Sequence, residues 1–178
     1  MTSRPLLLIA LAFSLVLAGC GGRSLGNKID DQFLEPNVRA KVQQAHADLN
    51  TTTSHIVVTS YNGVILLAGQ TPRAELKEKA EQAARSVRGV KRLHNEIQVM
   101  QPSSTLARSN DSLMTTKIKT QMLADNSVPG SKIKVVTENG VVYLMGLITQ
   151  QEGIRATRLV QGVGGVQKIV KLFQYTDV

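Results

Sequence analysis

Apolar and polar positions along the chain form one pattern written twice. Val57-Val58-Thr59-Ser60-Tyr61 and Val64-Ile65-Leu66-Leu67-Ala68-Gly69 flank Asn62-Gly63. Lys134-Val135-Val136-Thr137-Glu138 and Val141-Val142-Tyr143-Leu144-Met145-Gly146 flank Asn139-Gly140 in the same way. Two β-rich runs about Asn-Gly predict a hairpin, because both turn residues tolerate positive φ. The hairpins are offset by 140 − 63 = 77 residues. Ahead of them Lys41-Val42 matches Lys117-Ile118, at 117 − 41 = 76. Behind them Val87-Arg88-Gly89-Val90 matches Val163-Gly164-Gly165-Val166, at 163 − 87 = 76. Single-residue slips fall in connections, where insertions are tolerated. The chain is a tandem duplication.

Each copy reads as α-β-β-α-β. First helices are predicted over residues 36–48 and 111–124, the second with Ser112 as its cap and Met114, Ile118 and Met122 as its core stripe. After each hairpin comes a second helix. In copy one Thr71 suits its N-cap and Pro72 its first turn, with an end near Gly89. A last strand alternates as Leu93, Asn95, Ile97, Val99 or as Ile169, Lys171, Phe173, Tyr175. The second helix carries the chain back to a third strand beside the hairpin. The expected class is α+β, with two domains, each a mixed three-stranded sheet under two helices. The domains are expected at 36–101 and 110–178, joined by a linker at 102–109. Units this small have marginal cores, so the copies are expected to dock on each other.

The first twenty residues read as an address. Arg4 precedes an apolar run from Pro5 to Ala18, broken only by Ser14, ending in Leu17-Ala18-Gly19-Cys20. As a helix those residues reach about 21 Å, short of a ~30 Å hydrocarbon core, which is the shape of a signal peptide over residues 1–19. Residues 20–35, rich in Gly and polar groups, are expected to be a tether.

Composition narrows the function. The chain has 178 residues, 3% aromatics, no Trp and a formal charge of +8. Few aromatics argue against base stacking, and a secreted chain does not meet nucleic acid; the charge then points to anionic lipid. His46, His55 and His94 show no metal-ligand spacing, and Cys20 is the sole cysteine, so neither a metal site nor an internal disulfide is expected. Asp30-Asp31 reads as a solvated turn in the tether. Gly162-Val163-Gly164-Gly165 lacks the Lys-Ser/Thr of a phosphate loop and follows a helix, so it reads as a helix end. Glu75, Lys77, Glu78, Lys79 and Glu81 alternate in sign, as a solvated face does. No nucleophile, base and oxyanion site assemble, so the chain is read as not an enzyme and as using no cofactor.

Leu17-Ala18-Gly19-Cys20 resembles the lipobox of bacterial lipoproteins. That likeness implies a diacylglyceryl thioether and an acylated amine on Cys20. It further implies sorting to the outer membrane, since Gly21 and not Asp follows the cysteine. The duplicated unit resembles the BON domain. The likeness rests on the Asn-Gly hairpins, Gly69 and Gly146 late in the second strands, and Gly89-Val90 and Gly165-Val166 before the last strand. Together with Lys28-Ile29-Asp30-Asp31 and Ser109-Asn110-Asp111, it is similar to dual-BON outer-membrane lipoproteins. That resemblance implies a protein facing the periplasm, gathered at division sites and supporting envelope integrity. It implies binding of anionic phospholipid such as phosphatidylglycerol through the first helix of the second domain.

On that helix Leu113, Lys117 and Thr120 cluster within about 60°, beside the core stripe. Lys117 and Lys119 lie in a stretch without acid between Asp111 and Asp125. Leu113, Thr116, Lys117 and Thr120 are the candidate lipid contacts; the family pattern has Trp where this chain has Leu113. The structural turns are expected at Asn62, Gly63, Gly69, Asn139, Gly140 and Gly146, with a side chain at Gly146 striking the helix packed across the sheet. The alternative function is an adaptor that docks on envelope-assembly or cell-wall machinery.

Overall fold

The computed structural model describes residues 25–50 and 52–176, so the leader and Cys20 lie outside the described residues. The first domain comprises α1 (Leu25–Ala45), β1 (His55–Tyr61), β2 (Val64–Thr71), α2 (Ala74–Arg85), β3 (Arg92–Asn95) and β4 (Gln98–Val99). The second comprises α3 (Thr105–Ala124), β5 (Ile133–Glu138), β6 (Val141–Ile148), α4 (Gln150–Gln161) and β7 (Lys168–Tyr175). No helix among the described residues is long and apolar enough to cross a membrane.

Both hairpins turn where Asn-Gly stands. Tyr61 pairs with Val64 and Glu138 with Val141, and φ is positive at Asn62 (54°), Gly63 (78°), Asn139 (49°) and Gly140 (73°). That is the turn whose twist matches paired strands. The third strand then adds in parallel, β3 and β4 beside β2 and β7 beside β6, which makes each sheet mixed as expected. Copy two keeps one strand from Val141↔Lys168 to Ile148↔Tyr175. Copy one interrupts it at Glu96 and Ile97, where Ile97 turns into the core.

Three apolar clusters hold the molecule. One packs Val38 and Val42 of α1 and Leu76, Ala80 and Ala84 of α2 on Ile65 and Leu67. The second repeats this with Ile118, Met122, Ala156 and Val160 on Val142 and Leu144. The third joins the opposite faces of the two sheets: Tyr61, Leu66 and Ala68 meet Val141, Tyr143, Met145 and Leu172. The result is four layers, helices outside and sheets inside. It explains why β2 and β6 read as unbroken apolar runs, for strands covered on both faces need no polar alternation. Hydrogen bonds cross the seam. Tyr61 Oη donates to the Lys132 carbonyl (2.6 Å) and accepts from Leu147 N (3.3 Å), and Lys134 Nζ reaches the Ser60 carbonyl and Glu35 (both 3.2 Å).

Several expectations need correction. The first helices begin earlier than 36 and 111, so much of the expected tether and linker is helical; α1 runs through Pro36. Ser104 is the cap of α3, accepting from Ala107 N at 3.2 Å, while Ser112 lies inside the helix and bonds the Arg108 carbonyl. Leu34, Val38 and Val42 occupy the places of Met114, Ile118 and Met122, an offset of 114 − 34 = 80. The Lys41-Val42 match was therefore one helical turn out of register. Thr71 does not cap α2. It ends β2, buried against the Ser54 hydroxyl at 2.9 Å, and Arg73 precedes the helix without a side-chain cap. Gly69 and Gly146 sit inside strands and not in turns. A Cβ at Gly146 would meet the Lys132 carbonyl at 3.0 Å, in the short turn that leads into β5, and not one of the helices packed across the sheet. Gly69 is the position that excludes a side chain, because its φ is 107° and a Cβ there would overlap the His55 carbonyl.

Candidate functional site: the outward face of helix α3

An aspartate sets the rotation of α3. Asp111 is buried, and its carboxylate accepts from Asn139 N (2.7 Å) and Gly140 N (3.0 Å), the amides at the tip of the second hairpin. Turn amides pointing away from any strand lack a ladder partner, and an ionised acceptor satisfies them well. Ile118 and Met122 follow Asp111 into the core, and Thr115 Oγ1 donates to Thr137 Oγ1 at 2.8 Å. With the inner face held at these points, the opposite face has only solvent to meet.

That outward face carries all four expected contacts. Leu113, Thr116, Lys117 and Thr120 are exposed, Leu113 at 69%. The face also extends further than the sequence indicated. Leu106 is 72% exposed and Leu123 64%. Leu106 lies about 20° from Leu113 around the helix, and the three leucines span about 26 Å along it. Thr116 Oγ1 bonds the Ser112 carbonyl and Ser109 Oγ the Thr105 carbonyl, both at 3.0 Å. Hydroxyls satisfied within the helix lose less on leaving water than free ones do. Asp111 is the helix's one acid and is turned inward, so the exposed face shows cations and apolar tips without a carboxylate.

Asp31 does for the first domain what Asp111 does for the second. It is buried and accepts from Ser60 Oγ (2.6 Å), Asn62 N and Gly63 N (2.9 Å). The expectation of a solvated turn at Asp30-Asp31 was wrong for Asp31, though Asp30 is exposed. The missed signal was present: Asp30-Asp31 and Asn110-Asp111 recur at the offset of 80 that aligns the core stripes.

Other polar groups are structural. His46 Nδ1 accepts from Asp48 N at 3.1 Å, and His55 Nε2 lies 3.4 Å from Glu138 across the seam. Burial and the nearby Arg92 hold His94 below the usual imidazole range. Among the described residues no three His, Cys, Asp or Glu side chains converge as metal ligands. The Gly162–Gly165 segment ends α4, with Gly162 as its C-cap.

The comparisons with known proteins agree with this architecture. The BON domain family model matches residues 34–101 and again 110–177. The chain is 35% identical to outer membrane lipoprotein DolP of Haemophilus influenzae, over 99% of this chain and all of that one. It is 35% identical to the 21 kDa hemolysin of Actinobacillus pleuropneumoniae, over 87% of this chain and 79% of that one. It is 30% identical to osmotically-inducible protein Y of Escherichia coli, over 82% and 72%. With two matched domains and near-complete coverage, the chain belongs to the BON-domain family, as a dual-BON member of the DolP kind.

Proposed function

We propose that the chain is a non-enzymatic lipoprotein of the outer membrane, acylated at Cys20 and facing the periplasm. In this reading its second domain lays α3 on anionic phospholipid, and through that contact the protein supports envelope integrity, at division sites among others. One observation carries it: α3 presents Leu106, Leu113 and Leu123 with Lys117 and no exposed carboxylate. Apolar tips that insert beside cations fit the surface of an anionic bilayer, where each basic residue contributes about 1 kcal/mol. The relative named an outer membrane lipoprotein supports the location.

The test is binding of the mature chain bearing Cys20→Ser to phosphatidylglycerol vesicles and to phosphatidylcholine vesicles. The proposal expects binding to the first alone, weakened by salt. Saturable capture of one envelope protein without any vesicle binding would replace it with the adaptor function. Palmitate labelling that persists in the Cys20→Ser protein would overturn the acylation site.

A further inference from the structure

We propose that a basic groove around the tip of the first hairpin docks an extended acidic segment of another protein. Two hollows make the groove. One, of about 260 Å³, lies between α1 and the α2–β3 connection, with Phe33, Arg88 and Lys91 on its walls. The other, of about 450 Å³, crosses the seam from the start of β3 to the end of β7, walled by Lys91, Arg92 and Tyr175. They meet at Asn62 and Lys91, which line both. Asn62 Nδ2 donates to Gln174 Oε1 at 2.8 Å there, so the two docked domains share one floor.

Charge selects the occupant. Arg88, Lys91 and Arg92 are exposed, and no carboxylate among the described residues lies within ion-pair distance of any of them. Two acids border the first hollow. Asp31 is committed to the hairpin amides, which leaves exposed Asp30, and no acid among the described residues lines the second hollow. At the offset of 76 the three cations correspond to Gly164, Gln167 and Lys168, so two of them are particular to the first domain. Like charges around one groove repel each other, and an acidic partner turns that repulsion into attraction.

Each hollow also holds an aromatic side chain in water. Phe33 is 64% exposed and Tyr175 47%. Tyr175 is held by Phe173, with ring centroids 6.1 Å apart, and by Gly153, whose Cβ position is 3.2 Å from Tyr175 Cε1. A ring fixed before binding loses little entropy on contact, and exposed aromatics beside Arg are what protein interfaces anchor on. Cations between two aromatics suit an extended chain that alternates apolar and acidic side chains, and not a lone anion.

Helix α1 forms the outer layer opposite α3, so a bilayer met by α3 leaves Phe33 and Arg88 uncovered. Docking here and lipid contact there are separate functions, and neither depends on the other.

The chain contains no Trp, so a tryptophan in a probe peptide reports its own burial. The probe is a peptide of about ten residues alternating Glu and Leu around one central Trp, long enough to lie along such a groove. It is titrated with the mature Cys20→Ser chain, beside a second peptide with Gln for every Glu. The expected result is a saturable blue shift, weakened by salt, with affinity at least ten-fold lower for the Gln peptide. Arg88→Gly with Lys91→Gln, the residues of the second domain, should weaken binding about five-fold per cation removed. Phe33→Ser should weaken it as well, both variants keeping the parent's circular dichroism spectrum, and Leu113→Glu should leave it unchanged. Equal affinity for the Gln peptide, or parental binding by the double variant and by Phe33→Ser, overturns this inference. Loss of binding in Leu113→Glu, or displacement of the peptide by phosphatidylglycerol vesicles, also overturns it. Peptide binding without vesicle binding overturns the function of α3 alone, and the reverse overturns this inference alone.

Discussion

Helices α1 and α3 have the same inner face and unlike outer faces. Inside, each offers an aspartate to a hairpin tip and three apolar residues to a core, Leu34, Val38 and Val42 in one and Met114, Ile118 and Met122 in the other. Outside, α1 shows Phe33, Asn37 and Arg39, while its Glu35, at the place of Thr115, turns to the seam and accepts from Ser60 N and from Lys134 (both 3.2 Å). Outside, α3 has three exposed leucines and no acid. After duplication the two faces answered to different constraints. A core position is constrained by its neighbours' volume, whereas a surface position is constrained only by what it meets in solution. The divergent outer faces are therefore where a function specific to one copy can be read.

The second helices make the same point on a smaller scale. α4 starts with a capping box, Thr149 accepting from Glu152 N at 3.3 Å and Glu152 from Thr149 N at 2.7 Å. α2 has Arg73 at that place, occupied with Asp48 (2.8 Å) and Glu75 (3.0 Å) instead of the helix amides. Either arrangement suffices, because burial of Leu76, Ala80 and Ala84 holds α2 in place.

The sharpest contrast between the copies lies at the strand glycines. Gly69→Ala should cost more than about 3 kcal/mol, since it combines a left-handed φ with a backbone clash. Gly146→Ala, at ordinary φ, should cost about 1 kcal/mol by overpacking. Urea midpoints that agree for the two variants would break that contrast.

Next come the hairpin aspartates. Asp31→Ala and Asp111→Ala each strand buried amides, at about 2 kcal/mol or more, and Asp31→Ala should cost more because its carboxylate holds a further hydroxyl. Equilibrium unfolding of both variants checks the order. No loss of stability for either would mean that water replaces the carboxylate freely.

Smaller effects are expected on lipid binding. Leu113→Glu should weaken binding to phosphatidylglycerol vesicles at least ten-fold with an unchanged circular dichroism spectrum, for it removes an inserting tip and adds repulsion. Retention of full affinity would move the lipid face off α3. Lys117→Ala should weaken binding about five-fold and reduce its salt dependence. A salt slope identical to the parent's would show that Lys117 stays in water.

Much of this molecule was legible in the residue order. Asn-Gly between apolar runs located both hairpins, self-comparison revealed the duplication, and the 3.6-residue stripe of Met114, Ile118 and Met122 oriented α3 closely enough to put Leu113, Thr116, Lys117 and Thr120 outward. These are short-range signals, carried by turn stereochemistry and helical period within a dozen residues. What the residue order left open depends on partners far along the chain. Asp31 binds a turn 32 residues away and Asp111 one 29 residues away, so neither could be told from a surface acid by its neighbours in sequence. Burying those carboxylates and Leu34 is what draws the first turns of α1 and α3 out of the expected tether and linker. The tertiary structure alone decided that the two sheets meet through Tyr61, Leu66, Tyr143 and Met145. An apolar run shows that both faces of a strand are covered, and only the packed molecule shows by what.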